Sequence, residues 1–262
     1  MKIIQRIPLF LAIVLWTGAV GAAPYVVMPN GQRVAGTAIR ALPNGDINLT
    51  TDVGVRTFAK GSYAKAVADE PAEFKQALAA EKAKQFDAAE KLLSGIVTKY
   101  RGLSWDVEAS KALARVLLAK GDSAGAVQAY DKLFLLSPEE KKNSDTQWSY
   151  RKALLAAKQY SGLIRQLDLV ASSGARPDAA RAQIMRGDIQ LAQNNLELAA
   201  LDYLRTAILF ADVKDAAIQG EACFKAAQAL EQLRDPRAKE MYAKVVNEYG
   251  TSPYAAAAKG KM

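Results

Sequence analysis

Apolar residues recur at helical spacing through KGDSAGAVQAYDKLFLLSP, a stretch that ends at Pro138. Ala126, Tyr130 and Leu133 fall at i, i+4 and i+7, so they share one face of a helix. A Gly-Asp pair before them can end one helix and cap the next, and the proline stops the second helix. The pattern predicts a helical hairpin whose first helix is SWDVEASKALARVLLAK, with Ser104 as its N-cap.

The same spacing returns at intervals of 36 to 39 residues along the chain. A small residue or leucine begins each copy, at Ala89, Ala126, Leu163, Ala199 and Ala238. A larger side chain follows four positions later, at Leu93, Tyr130, Leu167, Tyr203 and Tyr242. A turn-like pair precedes each copy, at Lys84-Gln85, Gly121-Asp122, Lys158-Gln159, Asn194-Asn195 and Arg234-Asp235. The repetition predicts five helical hairpins that stack into one continuous hydrophobic core.

The helix before each turn also carries a recurring feature, a small residue where two helices should cross. These small residues are Ala77, Ala114, Gly187 and Ala226. The third copy departs from the pattern, because Arg151 occupies this position. The closing segment SPYAAAAKGKM predicts a short last helix that covers the end of the stack.

The copies KGDSAGAVQAYDKLFLLSP and GDIQLAQNNLELAALDYLRTAI resemble the tetratricopeptide repeat (TPR) family, and the resemblance covers residues 72–260. The period is slightly longer than the roughly 34 residues usual in that family. The resemblance implies a mainly α fold, a right-handed α-solenoid of about five helical hairpins, and a non-enzymatic scaffold that binds other proteins. The ending VVNEYGTSPYAAAA is similar to repeat endings in periplasmic coordinators of cell-envelope assembly, which implies a place in a bacterial cell envelope.

A different pattern precedes the helices, with alternating β-branched residues and turn pairs. Asn30-Gly31 and Asn44-Gly45 are typical of β-hairpins, and Gly36 inside a run predicts a bulge. The predicted strands are 25–29, 32–40, 46–51, 54–59 and 63–67. They predict a small antiparallel β module, comparable in size to an Sm-like barrel, that packs on the first hairpin. The predicted domains are therefore a signal peptide (1–22), the β module (23–69) and the helical repeats (70–262).

The first 22 residues have the pattern of a secretory signal peptide. Lys2 and Arg6 precede an apolar run from Ile7 to Val20, and small residues follow up to Ala22. A membrane anchor is the alternative, but a span needs roughly 20 apolar residues. Cleavage would remove two of 35 basic residues and none of 27 acidic ones, leaving a net charge of 33 − 27 = +6. We expect an exported protein, periplasmic or outer-membrane associated, without a nucleic-acid partner.

The composition leaves little catalytic chemistry. The chain has no histidine and one cysteine, Cys223, in an apolar helical context, where it should be a buried hydrophobe. Histidine-dependent triads, thiolate metal clusters and internal disulfides are therefore excluded. The pairs Asp69-Glu70 and Glu139-Glu140 lie at element boundaries, where helix capping explains them. With no phosphate-binding glycine loop either, we expect no enzyme, no cofactor and no metal.

The inner surface of a helical solenoid is its usual binding face, and the first helix of each hairpin should line it. Lys111, Arg115, Trp148 and Lys152 should point inward from the second and third hairpins. Cations beside a tryptophan could hold an acidic or C-terminal peptide segment, and these four are the predicted partner-binding residues. In the alternative interpretation Trp148 belongs to the core and the cations are solvated. A second functional hypothesis is an accessory part of an envelope assembly or polysaccharide-handling machine, whose β module binds glycan through exposed aromatic residues.

Overall fold

A computed structural model describes residues 23–262, so the predicted signal peptide lies outside the described residues. The chain divides into two compact units between Val116 and Leu117. The strands lie in 25–67 and the helices begin at Ala72. The predicted domain limits of 23–69 and 70–262 stay a prediction.

The first unit opens with six short strands within the described residues. They are β1 (Tyr25–Val27), β2 (Arg33–Ala35), β3 (Ala38–Ala41), β4 (Ile47–Thr51), β5 (Gly54–Phe58) and β6 (Lys65–Val67). Two antiparallel sheets result, in the orders β2-β1-β6 and β3-β4-β5. Val26 pairs with Val34 in the first sheet, and Leu49 pairs with Arg56 in the second. The predicted small antiparallel β module is confirmed.

The predicted strand 32–40 is broken at Gly36, where the chain passes from one sheet to the other. The amide of Gly36 donates to the Pro24 carbonyl (2.9 Å), and the amide of Thr37 donates to Thr50 (2.7 Å). A Cβ atom at position 36 would lie 2.3 Å from the Thr50 carbonyl oxygen. Glycine is therefore required for this close approach, and the predicted bulge is wrong because the strand changes sheets there.

Helices follow from residue 72 to the end of the chain. The helices are α1 (Ala72–Lys82), α2 (Phe86–Lys99), α3 (Trp105–Lys120), α4 (Ser123–Leu136), α5 (Ser144–Ala156), α6 (Tyr160–Ser173), α7 (Arg176–Ala192), α8 (Leu196–Leu209), α9 (Ala216–Gln232), α10 (Arg237–Glu248) and α11 (Ala255–Lys259). One turn of 3₁₀-helix, Pro138–Lys141, precedes α5. The mainly helical repeat architecture is confirmed. No helix in 23–262 has both the length and the apolar character needed to cross a membrane.

The loop between α2 and α3 fastens the β module to the helices of the first unit. The Ala68 amide donates to Leu103 (3.2 Å), and the Trp105 indole N–H donates to the Ala68 carbonyl (2.9 Å). The Ser104 hydroxyl donates to the Ala66 carbonyl (2.8 Å). These bonds cover the outer edge of β6, an edge that would otherwise be open to other strands. Ser104 occupies the predicted N-cap position of α3, since its carbonyl accepts from the Glu108 amide (3.4 Å), but its hydroxyl bonds to this strand rather than to the helix.

The same backbone turn ends the first helix of every hairpin. Its central residue has a positive φ, at Lys84 (59°), Gly121 (96°), Lys158 (58°), Asn194 (62°) and Arg234 (57°). In the first copy the Gln85 amide donates to Ala80, five residues back, and the Lys84 amide to Glu81. These are the two hydrogen bonds of a Schellman motif, which satisfies the last carbonyls of a helix. All five predicted turns are confirmed.

The predicted contact positions form the cores of the repeats. The five small-or-leucine positions are at most 6% exposed, and the five larger side chains after them at most 3%. Arg151 is also buried, at 9% exposure, although the other first helices carry alanine or glycine there. At the chain end, Ala258 of α11 packs with a cluster that contains Cys223, Tyr242 and Val245. This burial confirms that Cys223 is a small hydrophobe and that the last helix covers the stack.

Candidate functional site

Three successive first helices of the second unit, α5, α7 and α9, line a cavity of about 400 Å³. The lining side chains of α5 are Asp145, Trp148, Ser149, Lys152 and Leu155. Those of α7 are Arg181, Ile184, Met185 and Asp188. Those of α9 are Ala217, Ile218, Glu221 and Lys225. On each helix these residues recur about every three or four positions, so one face of each helix forms the wall. We call this cavity the groove.

The groove has an apolar middle between two charged ends. Asp145 and Arg181 lie six residues before the crossing positions 151 and 187 of their helices, and Lys152 and Asp188 lie one residue after them. Since α5 and α7 are equivalent helices of neighbouring repeats, residues at equal offsets lie at similar depth. The apolar lining residues between these levels are Trp148, Ile184 and Met185. The groove can therefore take an apolar side chain flanked by polar or charged groups.

Trp148 is half-buried and forms part of the wall. Its indole N–H donates to Asp178 Oδ1 of α7 (3.1 Å). The guanidinium carbon of Arg151 lies 4.7 Å from the centroid of its ring. Trp148 is thus neither a fully buried core residue nor a free side chain, because polar contacts hold it while part of the ring faces the groove.

One cation of the groove is already neutralised. Lys225 Nζ lies 2.9 Å from Asp188 Oδ1 and 2.6 Å from Glu221 Oε1, and the Tyr203 hydroxyl donates to the same Asp188 oxygen (2.8 Å). Burial works to lower the pKa of Lys225, but the two carboxylates outweigh it and the pKa is raised. Burial, followed by the charge of Asp188, raises the pKa of Tyr203. This network was missed from the sequence, although Asp188 occupies the repeat position of Lys152.

Two other cations of the groove are less engaged. Lys152 is exposed, and no carboxylate of the described chain lies within 4 Å of its Nζ. Arg181 makes only long contacts, 3.8 Å to Asp178 and 3.9 Å to Asp215. The lining holds three acidic and three basic side chains, so its formal charge is zero. Because Lys225 uses both Asp188 and Glu221, the cations left to meet a ligand are those of α5 and α7.

The structure brings two of the four predicted partner-binding residues together. Trp148 and Lys152 line the groove of the second unit. Lys111 and Arg115 lie on α3 in the first unit, where each has an acidic neighbour. Lys111 Nζ is 2.8 Å from Glu108 Oε1, and Arg115 forms a two-point pair with Glu81 at 2.5 and 2.7 Å. That all four act on one partner stays a prediction.

The β module lacks the exposed aromatic row that would favour glycan binding. Phe58 is buried in the module's core, and Tyr63 is half-buried with its hydroxyl donating to Gly45. The ring of Tyr25 is covered by the guanidinium of Arg33, 4.0 Å from its centroid. As for metals, the residues from 23 onward contain no group of three or more histidine, cysteine or acidic side chains that could hold an ion.

The comparisons with known proteins point to the same repeats. A family model described as tetratricopeptide repeat matches residues 221–252, which include most of α9 and all of α10. Two solved structures of the nearly identical TPR-like repeats of a protein from Podosopora anserina, named as a kinesin light chain, share the fold. One, a single-residue variant, has a TM-score of 0.52 at 16% identity, over 66% of this chain and 91% of that one. The other has a TM-score of 0.50 at 15% identity, over 72% and 94%.

A search of curated proteins found no match to this chain. The likeness to the solved structures, at this level of identity, concerns the fold alone. Tetratricopeptide repeats generally mediate protein–protein interactions, and proteins built from them are typically non-catalytic scaffolds. The five equivalent turns, the buried contact positions and the match at α9–α10 together identify this chain as a TPR-like helical repeat protein.

Proposed function

We propose that this chain is a non-enzymatic scaffold that binds a segment of another protein in the groove of α5, α7 and α9. The observation that carries the proposal is the groove itself, since three equivalent helices present a half-buried tryptophan and two available cations to one cavity. Interfaces commonly depend on a few rigid anchors of this kind, with tryptophan and arginine prominent among them. A cavity of about 400 Å³ can hold one or two side chains of a bound segment.

The charges of the groove support a partner segment that carries a carboxylate beside an apolar side chain. Ile184 and Met185 offer apolar contact at mid-depth. Lys152 and Arg181 can each donate to a carboxylate, because neither has a close acidic partner. Lys225 contributes little to such a ligand, because Asp188 and Glu221 already surround it. We infer that the carboxylate lies on the side of α5 and α7.

The test begins with a peptide selected on the full chain from a displayed library of random 15-residue sequences. Trp148→Ala should lower the affinity for this peptide by about thirtyfold or more, because an interface anchor worth about 2 kcal/mol is removed. Lys152→Glu should weaken it most at low salt, since exposed charges are screened beyond about 10 Å at 0.1 M. Lys132→Glu on α4 is the matched control, because Lys132 is exposed outside the groove. Unchanged affinity in both groove variants, with intact helicity by circular dichroism, rejects the groove as the binding site.

The same peptide tests whether the first unit takes part. Lys111→Glu and Arg115→Glu change the predicted residues of α3, and the pairs with Glu108 and Glu81 are broken at the same time. If all four predicted residues act on one partner, these variants should weaken binding further in a Lys152→Glu background. If affinity depends on Trp148 and Lys152 alone, the site is confined to the second unit.

We propose further that the protein is exported and works in the cell envelope. The support is the sequence pattern of residues 1–22, a basic start followed by a short apolar run and small residues. The mass of the protein isolated from its native cells should correspond to a chain that begins near Ala23. Recovery of the uncleaved chain in the membrane fraction would contradict export by a cleaved signal peptide.

A further inference from the structure

Arg151 occupies a position where every other first helix has a small residue. The equivalent residues are Ala77, Ala114, Gly187 and Ala226. Arg151 is only 9% exposed, and its Nε is buried without a hydrogen-bond partner. No carboxylate of the described residues approaches its guanidinium within 4 Å, so the positive charge is buried without an ion pair.

Such an arrangement costs stability. A guanidinium remains protonated in proteins, and burying part of it with an unbonded Nε and no ion pair removes hydration with little return. Burial lowers the pKa of Arg151, and the negative charge of Asp178 only partly opposes this effect. A residue that disturbs the repeat pattern and weakens the fold calls for another explanation, which its neighbours supply.

Two side chains that act on Arg151 are those of Trp148 and Asp178. The guanidinium lies 4.7 Å from the centroid of the indole ring, within the distance at which a cation attracts an aromatic face. The indole N–H donates to Asp178 Oδ1 on the next first helix, at 3.1 Å. One face and the polar edge of the ring are therefore held at once, and α5 is linked to α7 through the same side chain.

We propose that Arg151 and Asp178 are positioning residues that hold the ring of Trp148 in the wall of the groove, ready for the partner segment. This inference rests on the proposed function and deepens it. A side chain that is already ordered loses less conformational entropy when a ligand binds, so preorganisation increases affinity. The buried cation is retained at position 151 because it shapes the binding site, and a small residue there would release the ring.

The free protein tests the positioning directly. The full chain is labelled with 5-fluorotryptophan, and the ¹⁹F resonance of Trp148 is assigned by its loss in Trp148→Phe. Arg151→Met, which keeps the length of the side chain, should shift and broaden this resonance and increase its H₂O/D₂O isotope shift, while the melting temperature stays equal or rises. In Arg151→Lys the changes in this resonance should be smaller than in Arg151→Met, because an ammonium keeps the charge but cannot stack as a plane. Arg165→Met is the matched control, since Arg165 is an exposed arginine on α6.

The binding arm uses the peptide selected on the full chain. Arg151→Met should weaken it by about three- to tenfold, the cost of immobilising one side chain on binding. A Trp148 resonance that Arg151→Met leaves unmoved and narrow overturns the proposal, and so does a changed resonance with unchanged affinity. If Arg151→Met does not fold, the Trp148 resonance and the peptide affinity of Arg151→Lys and Asp178→Ala test the proposal instead. If no peptide depends on Trp148, the proposed function fails, and the resonance alone still decides whether Arg151 holds the ring.

Discussion

Gly187 of α7 and Tyr203 of α8 lie so close together that a Cβ atom on the glycine would be 2.4 Å from Cε1 of the tyrosine ring. The ring is fully buried, and its hydroxyl is fixed by the bond to Asp188. The tyrosine therefore cannot move aside easily. This contact shows why the crossing position of the fourth hairpin carries the smallest residue.

Gly187→Ala should destabilise the protein by about 1–3 kcal/mol, the range for overpacking a filled core. The loss would appear although alanine is favoured over glycine inside a helix by about 1 kcal/mol. Gly162→Ala is the control, because Gly162 lies in α6 and a Cβ there would meet no atom within 4 Å. It should leave stability unchanged or raise it by up to about 1 kcal/mol. Urea unfolding followed by circular dichroism measures the free energy of unfolding of both variants. If Gly187→Ala and Gly162→Ala change it equally, Gly187 and Tyr203 do not pack as closely in solution as in this structure.

The repeat pattern could be predicted from the sequence because its physical causes are local. Each repeat has two buried residues four positions apart, such as Ala199 and Tyr203, and a turn after its first helix, such as that at Asn194. Both features recur at a regular interval in the sequence. The strand signals of the β module are local as well. The pairing partner of a strand is not local, which is why the change of sheets at Gly36 was predicted as a bulge.

The candidate site could be predicted only in part, for a related reason. Trp148 and Lys152 lie on the face of α5 that lines the groove, and the helical period alone predicts that they share a face. The ion pairs that neutralise Lys225 depend on two carboxylates, one of them 37 residues away. The carboxylate whose charge acts on Arg151, that of Asp178, likewise lies on another helix. Ion pairs between helices determine which cations remain available to a ligand, and residue spacing along the sequence does not predict such pairs.

The small position of the second hairpin gives a second packing prediction. Ala126 is fully buried, so Ala126→Leu should cost about 1–3 kcal/mol by overpacking, and the same holds for Ala199→Leu. Ala124→Leu is the control, because Ala124 is an exposed residue of the same helix. Thermal melts should separate Ala126→Leu from Ala124→Leu. If the buried and exposed variants melt alike, the faces of α4 are assigned incorrectly.

The aromatic contact between α4 and α5 predicts a pH dependence. Tyr150 packs edge-on against Tyr130 and Phe134, and its hydroxyl donates to Asp131 Oδ1 at 2.9 Å. Burial, followed by the bond to Asp131, raises the pKa of Tyr150 to about 12. Because this value lies above the ordinary pKa of about 10, the stabilisation is fully present below pH 10 and is lost as the pH rises towards 12.

Tyr150→Phe removes the hydroxyl and should cost about 1.5–3 kcal/mol at pH 8, the range for a hydrogen bond to a charged group. The difference in unfolding free energy between the parent and this variant should then shrink between pH 10 and 12. Asp131→Asn keeps an acceptor without the charge and should show a smaller change over the same interval. A difference that stays constant from pH 8 to 11.5 would contradict the assigned contact.

The last helix predicts the reactivity of the single cysteine. Cys223 is fully buried beneath α10 and α11, and burial raises the pKa of its thiol to about 11. Because the thiolate is the reactive form, a disulfide reagent such as 5,5′-dithiobis(2-nitrobenzoate) should not label the native protein at pH 8 until α11 opens. Ala258→Glu places a charge in this cluster and should detach the helix, so labelling should become about tenfold faster or more. Ala257→Glu is the control, because Ala257 is exposed on the same helix, and it should leave the labelling rate unchanged. Rapid labelling of the parent protein, or equal rates in the two variants, would show that α11 does not cover Cys223 in solution.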